Sequence, residues 1–191
     1  LQQTGQADLA LEVLRQLAES LPHDVAIQQQ YVRALFDAAF DAAYAWLRKA
    51  IVPEARWLPH EEESLRVVYT DLLWQQGRFA DLVQYLDGWV RQDPANRNAY
   101  ARYLSSLVRS DQEARANELA AQWLADGRQP DKLTDATAAR LEAAINFALG
   151  QGHDLYHQRI DERWHQPLAE TAEFFATHAS HAYLADRIMS D

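Results

Sequence analysis

The chain has 191 residues, of which 48% are hydrophobic and 24% charged, and its formal net charge is −10. These proportions are those of a globular protein and exclude collagen-like and wholly disordered classes. Cysteine is absent, which excludes a disulfide framework, a thiolate nucleophile and a cysteine-based zinc site. The acidic balance argues against nucleic acid and anionic membranes as partners, because both are bound by clustered cations.

The remaining composition favours a helical protein. Only 6 glycines and 6 prolines are present, too few for the many tight turns of a β-sandwich. No apolar run approaches the roughly 20 residues that span a bilayer, and no signal peptide is recognisable. Because the first residue is Leu1 and a helical pattern begins at once, we expect a piece of a longer protein.

The stretch 65–127 repeats itself with a period of about 34 residues. Two apolar stretches flank a turn former near the middle of each copy, which predicts a helix–turn–helix unit. The positions that coincide after one such shift are Leu65 with Ala99, Tyr69 with Tyr103, Leu73 with Leu107, Gly77 with Asp111, Leu82 with Ala116 and Trp89 with Trp123.

The N-terminus carries the second half of the same unit, at the offset that separates Gly5 from Gly77. Because this offset is slightly longer than two periods, an insertion must lie between, and the stretch 53–60, with a proline at 53 and at 59, is the candidate. The landmarks of this half repeat are Gly5, Asp8, Ala10, Leu17 and Pro22, which recur near or at Gly77, Ala80, Leu82, Trp89 and Pro94. The copy in 25–60 has drifted: its Ala43 and Ala50 follow Ala10 and Leu17 at slightly less than one period.

These landmarks resemble the tetratricopeptide repeat (TPR) family, in which a first helix, a turn and a second helix end before a proline. Leu82 and Trp89 depart from it, since the family prefers alanine there. The resemblance implies an all-α fold, a right-handed superhelix of stacked antiparallel helix pairs, within a longer bacterial TPR protein. The predicted parts of the repeat region 1–126 are a half repeat in 1–24, the drifted repeat with its insertion in 25–60, and repeats in 61–96 and 97–127.

Residues 128–191 keep a helical pattern but lose the period, so they are either degenerate repeats or capping helices. Thr134 or Asp135 is expected to cap a helix that carries Leu141, Ala144, Ile145 and Ala148 on one face and ends at 150–152. A second helix is expected around Tyr156, Ile160 and Trp164. Pro167 is expected as the first residue of a last helix that runs through Leu168, Ala172, Phe175, Ala179 and Tyr183.

Residue chemistry gives little support for an enzyme. Five of the seven histidines lie between His153 and His181, but the zinc-hydrolase pattern His-Glu-x-x-His is missing, and solvated histidines are the expected interpretation. The carboxylates at 61–63 follow Pro59 and are expected at a helix N-terminus rather than in acid–base chemistry. No nucleophile elbow or phosphate-binding loop occurs. The prediction is therefore no catalytic residue, no metal and no cofactor.

The TPR resemblance implies that partners bind a concave groove lined by the first helices. Trp74 is either an apolar anchor in this groove or part of the interior. In the drifted repeat the register is uncertain by one residue, so Gln28, Val32 and Phe36 are further candidates. Arg97, Arg102 and Arg109 are suited to an acidic partner segment or an anionic glycan. The predicted groove residues are Gln29, Arg33, Asp71, Trp74, Gln75, Arg102, Ser105 and Arg109.

Two functions follow from the resemblance. The first is a non-catalytic scaffold that binds a partner protein or peptide in the groove. The alternative is a segment of a bacterial exopolysaccharide-export protein that recruits a periplasmic modifying enzyme or contacts the polymer, suggested by the arginine-rich, cysteine-free composition. Lack of cysteine fits cytosol and periplasm alike, and the alternative favours the periplasm. Self-association through exposed terminal helices is also expected, with Leu11 and Leu14 open on the first helix.

Overall fold

The computed structural model describes residues 2–51, 57–129, 133–150, 161–177 and 182–190, and every helix or strand assigned there is an α-helix. The all-α class predicted from the sequence is confirmed for these residues. No helix within them is long and apolar enough to cross a membrane. In chain order the helices are α1 Gln2–Ser20, α2 Val25–Ala38, α3 Phe40–Ala50, α4 Pro59–Gln75, α5 Phe79–Gln92, α6 Arg97–Arg109, α7 Glu113–Gly127, α8 Asp135–Ala148, α9 Glu162–Ala176 and α10 Ala182–Met189.

Short polar side chains cap four of these helices, α2, α6, α8 and α9. The side-chain oxygen of Asp24 accepts a hydrogen bond from the Ile27 amide, and that of Asn96 accepts one from the Ala99 amide. Thr134, one of the two predicted caps, accepts from the amide three residues later in the same way. Each cap satisfies an amide that has no partner within its helix. The two caps Asp24 and Asn96 are related by the same offset that relates the N-terminal half repeat to its counterpart.

Helix α4 begins where the acidic run at 61–63 predicts a helix N-terminus. Pro59 is its first residue, where a missing amide hydrogen costs nothing, and Glu61 and Glu62 lie in its first turn. A carboxylate oxygen of Glu61 accepts a hydrogen bond of 3.0 Å from the amide of Leu58. These carboxylates therefore stabilise the positive end of the helix dipole.

Three helices end in the same turn. Gly77, Asp111 and Gly150 have left-handed φ angles of 66°, 60° and 76°. At each turn, the left-handed residue donates its amide to the carbonyl three residues earlier, and the preceding residue donates to the carbonyl four residues before itself. Glycine has no steric penalty there and aspartate tolerates it. The predicted turns at 77 and 111 are therefore the same structure, and Gly150 adds a third.

The chain divides into two compact units, and the first is Leu1–Gly77. In this unit α2 packs against α1, α3 and α4, and α3 also contacts α4. Apolar residues from α2, α3 and α4 fill the core. They are Val32, Leu35, Ala43, Leu47, Leu65, Leu72 and Leu73.

The second unit is Arg78–Asp191, so the boundary falls at the turn inside the repeat predicted for 61–96. Here α6 packs against α5, α7 and α8, α7 also packs against α8 and α9, and α9 packs against α10. Trp89 and Trp123 are buried, as expected of residues that fill gaps between helices. The predicted inner face of α8, Leu141, Ala144, Ile145 and Ala148, is also buried.

The prediction for the last helices was wrong in two respects. Pro167 lies in the second turn of α9 rather than at its start, because Asp161 caps the helix earlier by accepting a hydrogen bond from the Arg163 amide. Trp164 and Leu168 therefore belong to one helix and are both buried. The helix ends at Ala176, and α10 is separate from it. Tyr156, Ile160 and Ala179 lie outside the described residues.

The exposed side of α1 also differs from the prediction. The sequence predicts Leu11 and Leu14 open to solvent, but both are half-buried because they face α2. Ala10 is exposed. The large apolar side chains that α1 leaves open to solvent are instead Leu9, Val13 and Leu17.

Candidate functional site

The structure resolves the register of the candidate residues on α2. Gln28 and Val32 are 2% and 0% exposed, so both are wrong as groove residues. The Gln28 amide nitrogen donates to the carbonyls of Ala18 and Leu21, at 2.8 and 3.2 Å, and its oxygen accepts from the Trp46 indole at 2.7 Å. Gln28 therefore connects α1, α2 and α3 inside the first unit.

The remaining α2 candidates are open. Gln29 and Phe36 are half-buried and Arg33 is exposed, and their spacing of four and three residues places them on one side of α2. Arg33 is therefore the α2 side chain best able to reach a partner.

Helix α4 carries three more candidates on one side. Asp71 and Trp74 are half-buried and Gln75 is exposed, and they lie within one turn of each other. Trp74 is more open than Trp89 and Trp123, which are buried. Because α2 packs beside α4, the five predicted groove residues of the first unit lie on two adjacent helices.

Helix α6 carries the candidates of the second unit. Arg102 and Ser105 are half-buried and Arg109 is exposed, at spacings of three and four residues. The Ser105 hydroxyl donates to the Ala101 carbonyl at 3.1 Å. The opposite side of α6 is buried against α5, α7 and α8, so the three candidates share its open side.

An arginine on α8 was missed by the sequence analysis. Arg140 precedes the left-handed Gly150 by ten residues. Ala101, on the helix α6 that carries the candidates of the second unit, precedes the left-handed Asp111 by the same number, so the two positions are equivalent. The guanidinium lies 5.8 Å from the centre of the Tyr100 ring, and its Nε is 3.3 Å from the Tyr100 hydroxyl. The equal distance from the left-handed residue is the signal that identifies Arg140. The repeat period does not predict this position, because Gly150 follows Asp111 at a longer interval than Asp111 follows Gly77.

Tyr103 joins three helices of the second unit. Its hydroxyl accepts a hydrogen bond of 2.8 Å from Arg115 on α7 and donates one of 3.3 Å to Asp87 on α5. Burial raises the pKa of the Tyr103 phenol, and the nearby Arg115 guanidinium acts in the opposite direction. These contacts are structural, and they hold α6 with its candidate side facing outward.

Arg97 is the remaining basic residue singled out for a partner. Its Nη1 atom lies 2.9 Å from a carboxylate oxygen of Glu142 on α8, and Arg187 on α10 lies 3.5 Å from the other oxygen. Arg97 is therefore engaged within the unit, although it is exposed.

The histidine-rich segment is described only at His165, which is exposed on α9. His153, His157, His178 and His181 lie outside the described residues. Among the residues that are described, no group of three or more histidine and acidic side chains is placed to hold a metal ion.

A row of aromatic rings runs through the first unit. Phe36 and Phe40 have ring centres 5.5 Å apart, Phe40 and Tyr44 6.2 Å, and Tyr44 and Tyr69 5.1 Å. The Arg48 guanidinium lies 5.8 Å from the centre of the Tyr44 ring. The first three rings are half-buried, so part of the row is accessible from solvent.

No protein-family model matches the sequence, and searches of curated proteins and of solved structures give no match.

Proposed function

We propose that the chain is a non-catalytic protein-interaction scaffold, built from tetratricopeptide-type helix pairs, that binds a partner peptide along its first helices. The observation that carries this proposal is the turn conformation shared by Gly77 and Asp111, each of which lies between two consecutive helices, and this supports a repeated helix–turn–helix plan. The right-handed superhelix implied by the family resemblance is part of the proposal.

The side chains on α2 and α4 of the first unit indicate the chemistry of the partner. Arg33 is an exposed cation, and Gln75 offers both a donor and an acceptor. Trp74 provides the aromatic surface that interface hot spots often use. A peptide with carboxylates and at least one apolar side chain would complement this set, because guanidinium groups bind carboxylates with two parallel hydrogen bonds.

The test uses peptides selected on the wild-type chain from a random phage-displayed library, of about twelve residues each. Their affinity is then measured for the triple variant Arg33→Ala, Asp71→Ala and Gln75→Ala, whose three positions lie on α2 and α4 of the first unit. A matched control removes the same three residue types elsewhere, as Asp186→Ala, Gln122→Ala and Arg91→Ala, all at exposed positions. All three proteins must have the same helical circular dichroism and melting temperature.

We expect the first variant to weaken binding by at least about tenfold, as losing interface hot spots does, and the control by less than about twofold. Equal binding by both variants would contradict the assignment to these helices. Failure to select any peptide in repeated rounds would contradict peptide binding itself.

The second candidate function is contact with an exported polysaccharide, and the row Phe36, Phe40 and Tyr44 is the feature that favours it. Aromatic faces stack on the C–H-rich faces of sugar rings, and the acidic chain would attract a cationic polymer. Affinity electrophoresis in gels containing chitosan oligosaccharides tests this. We expect Phe40→Ala with Tyr44→Ala to abolish retardation, and Tyr183→Ala, an exposed aromatic of α10, to leave it unchanged.

A further inference from the structure

Helix α1 leaves one apolar side uncovered. The exposed fractions are 66% for Leu9, 48% for Val13, 41% for Leu17 and 45% for Leu21, just after the helix. These residues follow one another at intervals of four, so they form one stripe, about 18 Å long at 1.5 Å per residue. The stripe is separate from the side of α1 that packs on α2, where Ala18 is buried.

The corresponding side of α7 shows what covers such a stripe in this chain. Leu17 corresponds to Trp89 in the next well-kept copy of the repeat, and Trp89 corresponds in turn to Trp123 of α7. Trp123 is only 7% exposed, and its ring packs edge-on against Tyr100 of α6, with ring centres 5.1 Å apart. Because α6 and α7 are joined by a short connection, they run antiparallel. At the position of Trp123, an antiparallel helix therefore covers this side of α7.

The stripe on α1 is symmetric about residue 15. When a second α1 lies antiparallel to the first, Leu9 meets Leu21 of the other copy and Val13 meets Leu17, so that every contact joins two apolar side chains. A two-fold interface requires this self-complementarity. We propose that two copies of this chain associate through their α1 helices.

The charges of α1 are compatible with this contact. Arg15 is bound to Glu12 at 2.7 Å and to Glu19 at 2.6 Å within its own helix, on a side of α1 away from the stripe. No charged residue lies within the stripe itself. A single helix pair buries less than the roughly 1,200 Å² of a standard interface, so the dimer is weak and concentration-dependent.

Sedimentation equilibrium tests the association, from about 1 μM to about 1 mM, which spans the dissociation constants of small interfaces. We expect the wild-type mass to rise with concentration toward twice 21.9 kDa. Val13→Glu should weaken dimerisation by at least about tenfold, because it places a charge in an apolar contact. Leu58→Glu, at another exposed leucine, is the control and should dimerise like the wild type.

Disulfide trapping tests the geometry, and the absence of native cysteine makes it unambiguous. A mixture of Val13→Cys and Leu17→Cys chains should form a mixed disulfide dimer, whereas Leu9→Cys alone should not cross-link to itself. A parallel pair would cross-link at Leu9 and overturn the proposed arrangement. A chain that stays monomeric throughout, or a dimer that Val13→Glu does not weaken, would overturn the interface.

Discussion

Replacing Gly127 by alanine is expected to lower the free energy of unfolding, although alanine is the better helix former. A Cβ atom on this last residue of α7 would lie 2.7 and 2.8 Å from the two Cδ atoms of Leu141 and 3.0 Å from its Cγ. Leu141 is fully buried in α8, so its side chain would have to shift within packed surroundings. Overpacking of this kind costs about 1–3 kcal/mol, against a propensity gain of up to about 1 kcal/mol, which leaves a net loss of up to about 2 kcal/mol.

Urea unfolding followed by circular dichroism measures this change, with Gly88→Ala as the control. A Cβ on Gly88, inside α5, meets nothing within 4 Å, so alanine there should stabilise by about 0.5–1 kcal/mol. Because the clash involves Leu141, Gly127→Ala and Leu141→Ala together should cost less than the sum of the single changes, by about 1 kcal/mol or more. A Gly127→Ala protein at least as stable as the wild type would refute the close contact.

Three further changes test other parts of the fold. Gln28→Leu removes the partner of the Trp46 indole N–H and of the Ala18 carbonyl, and should cost about 2–3 kcal/mol in urea unfolding; a cost below about 0.5 kcal/mol would contradict the buried network. Asn96→Ala removes the cap of α6 and should cost about 1 kcal/mol, with a lower melting temperature as the readout; an unchanged value would contradict the cap. Burial raises the pKa of Tyr103, so its contribution to stability is complete below the unfolded value near 10 and is lost as the pH rises above it. Tyr103→Phe should therefore flatten the decline of stability above about pH 10, and an unchanged slope would contradict this assignment.

Much of the helical plan could be predicted because its signals are local. Turn formers such as Gly77 and Asp111, and caps such as Asn96 and Thr134, act through hydrogen bonds within a few residues, which sequence spacing records directly. The repeat period therefore located two turns that have the same backbone conformation. Apolar periodicity likewise identified the buried side of α8.

The errors concern choices that neighbouring residues or helices decide. Proline is favoured in the first turn of a helix, which is why the sequence predicts that Pro167 begins the last helix. Asp161 instead caps α9 six residues earlier, so Pro167 lies in the second turn. Whether Gln28 or Gln29 points outward depends on where α1 and α3 place their carbonyls and indole, which no local pattern contains. The candidate residues on α4 and α6 could be proposed from repeat positions, but their exposure depends on packing.

Each helix in the described part of the chain packs mainly on helices one or two places away in sequence. A fold of this kind has low contact order, so it forms without closing long loops and tends to fold quickly. It also opens in parts rather than all at once. Amides in α6 and α7, which have neighbours before and after them, should exchange with deuterium only through a wide opening. Those in α10, which packs chiefly on α9, should exchange after the loss of a single contact, so stability is graded along the chain.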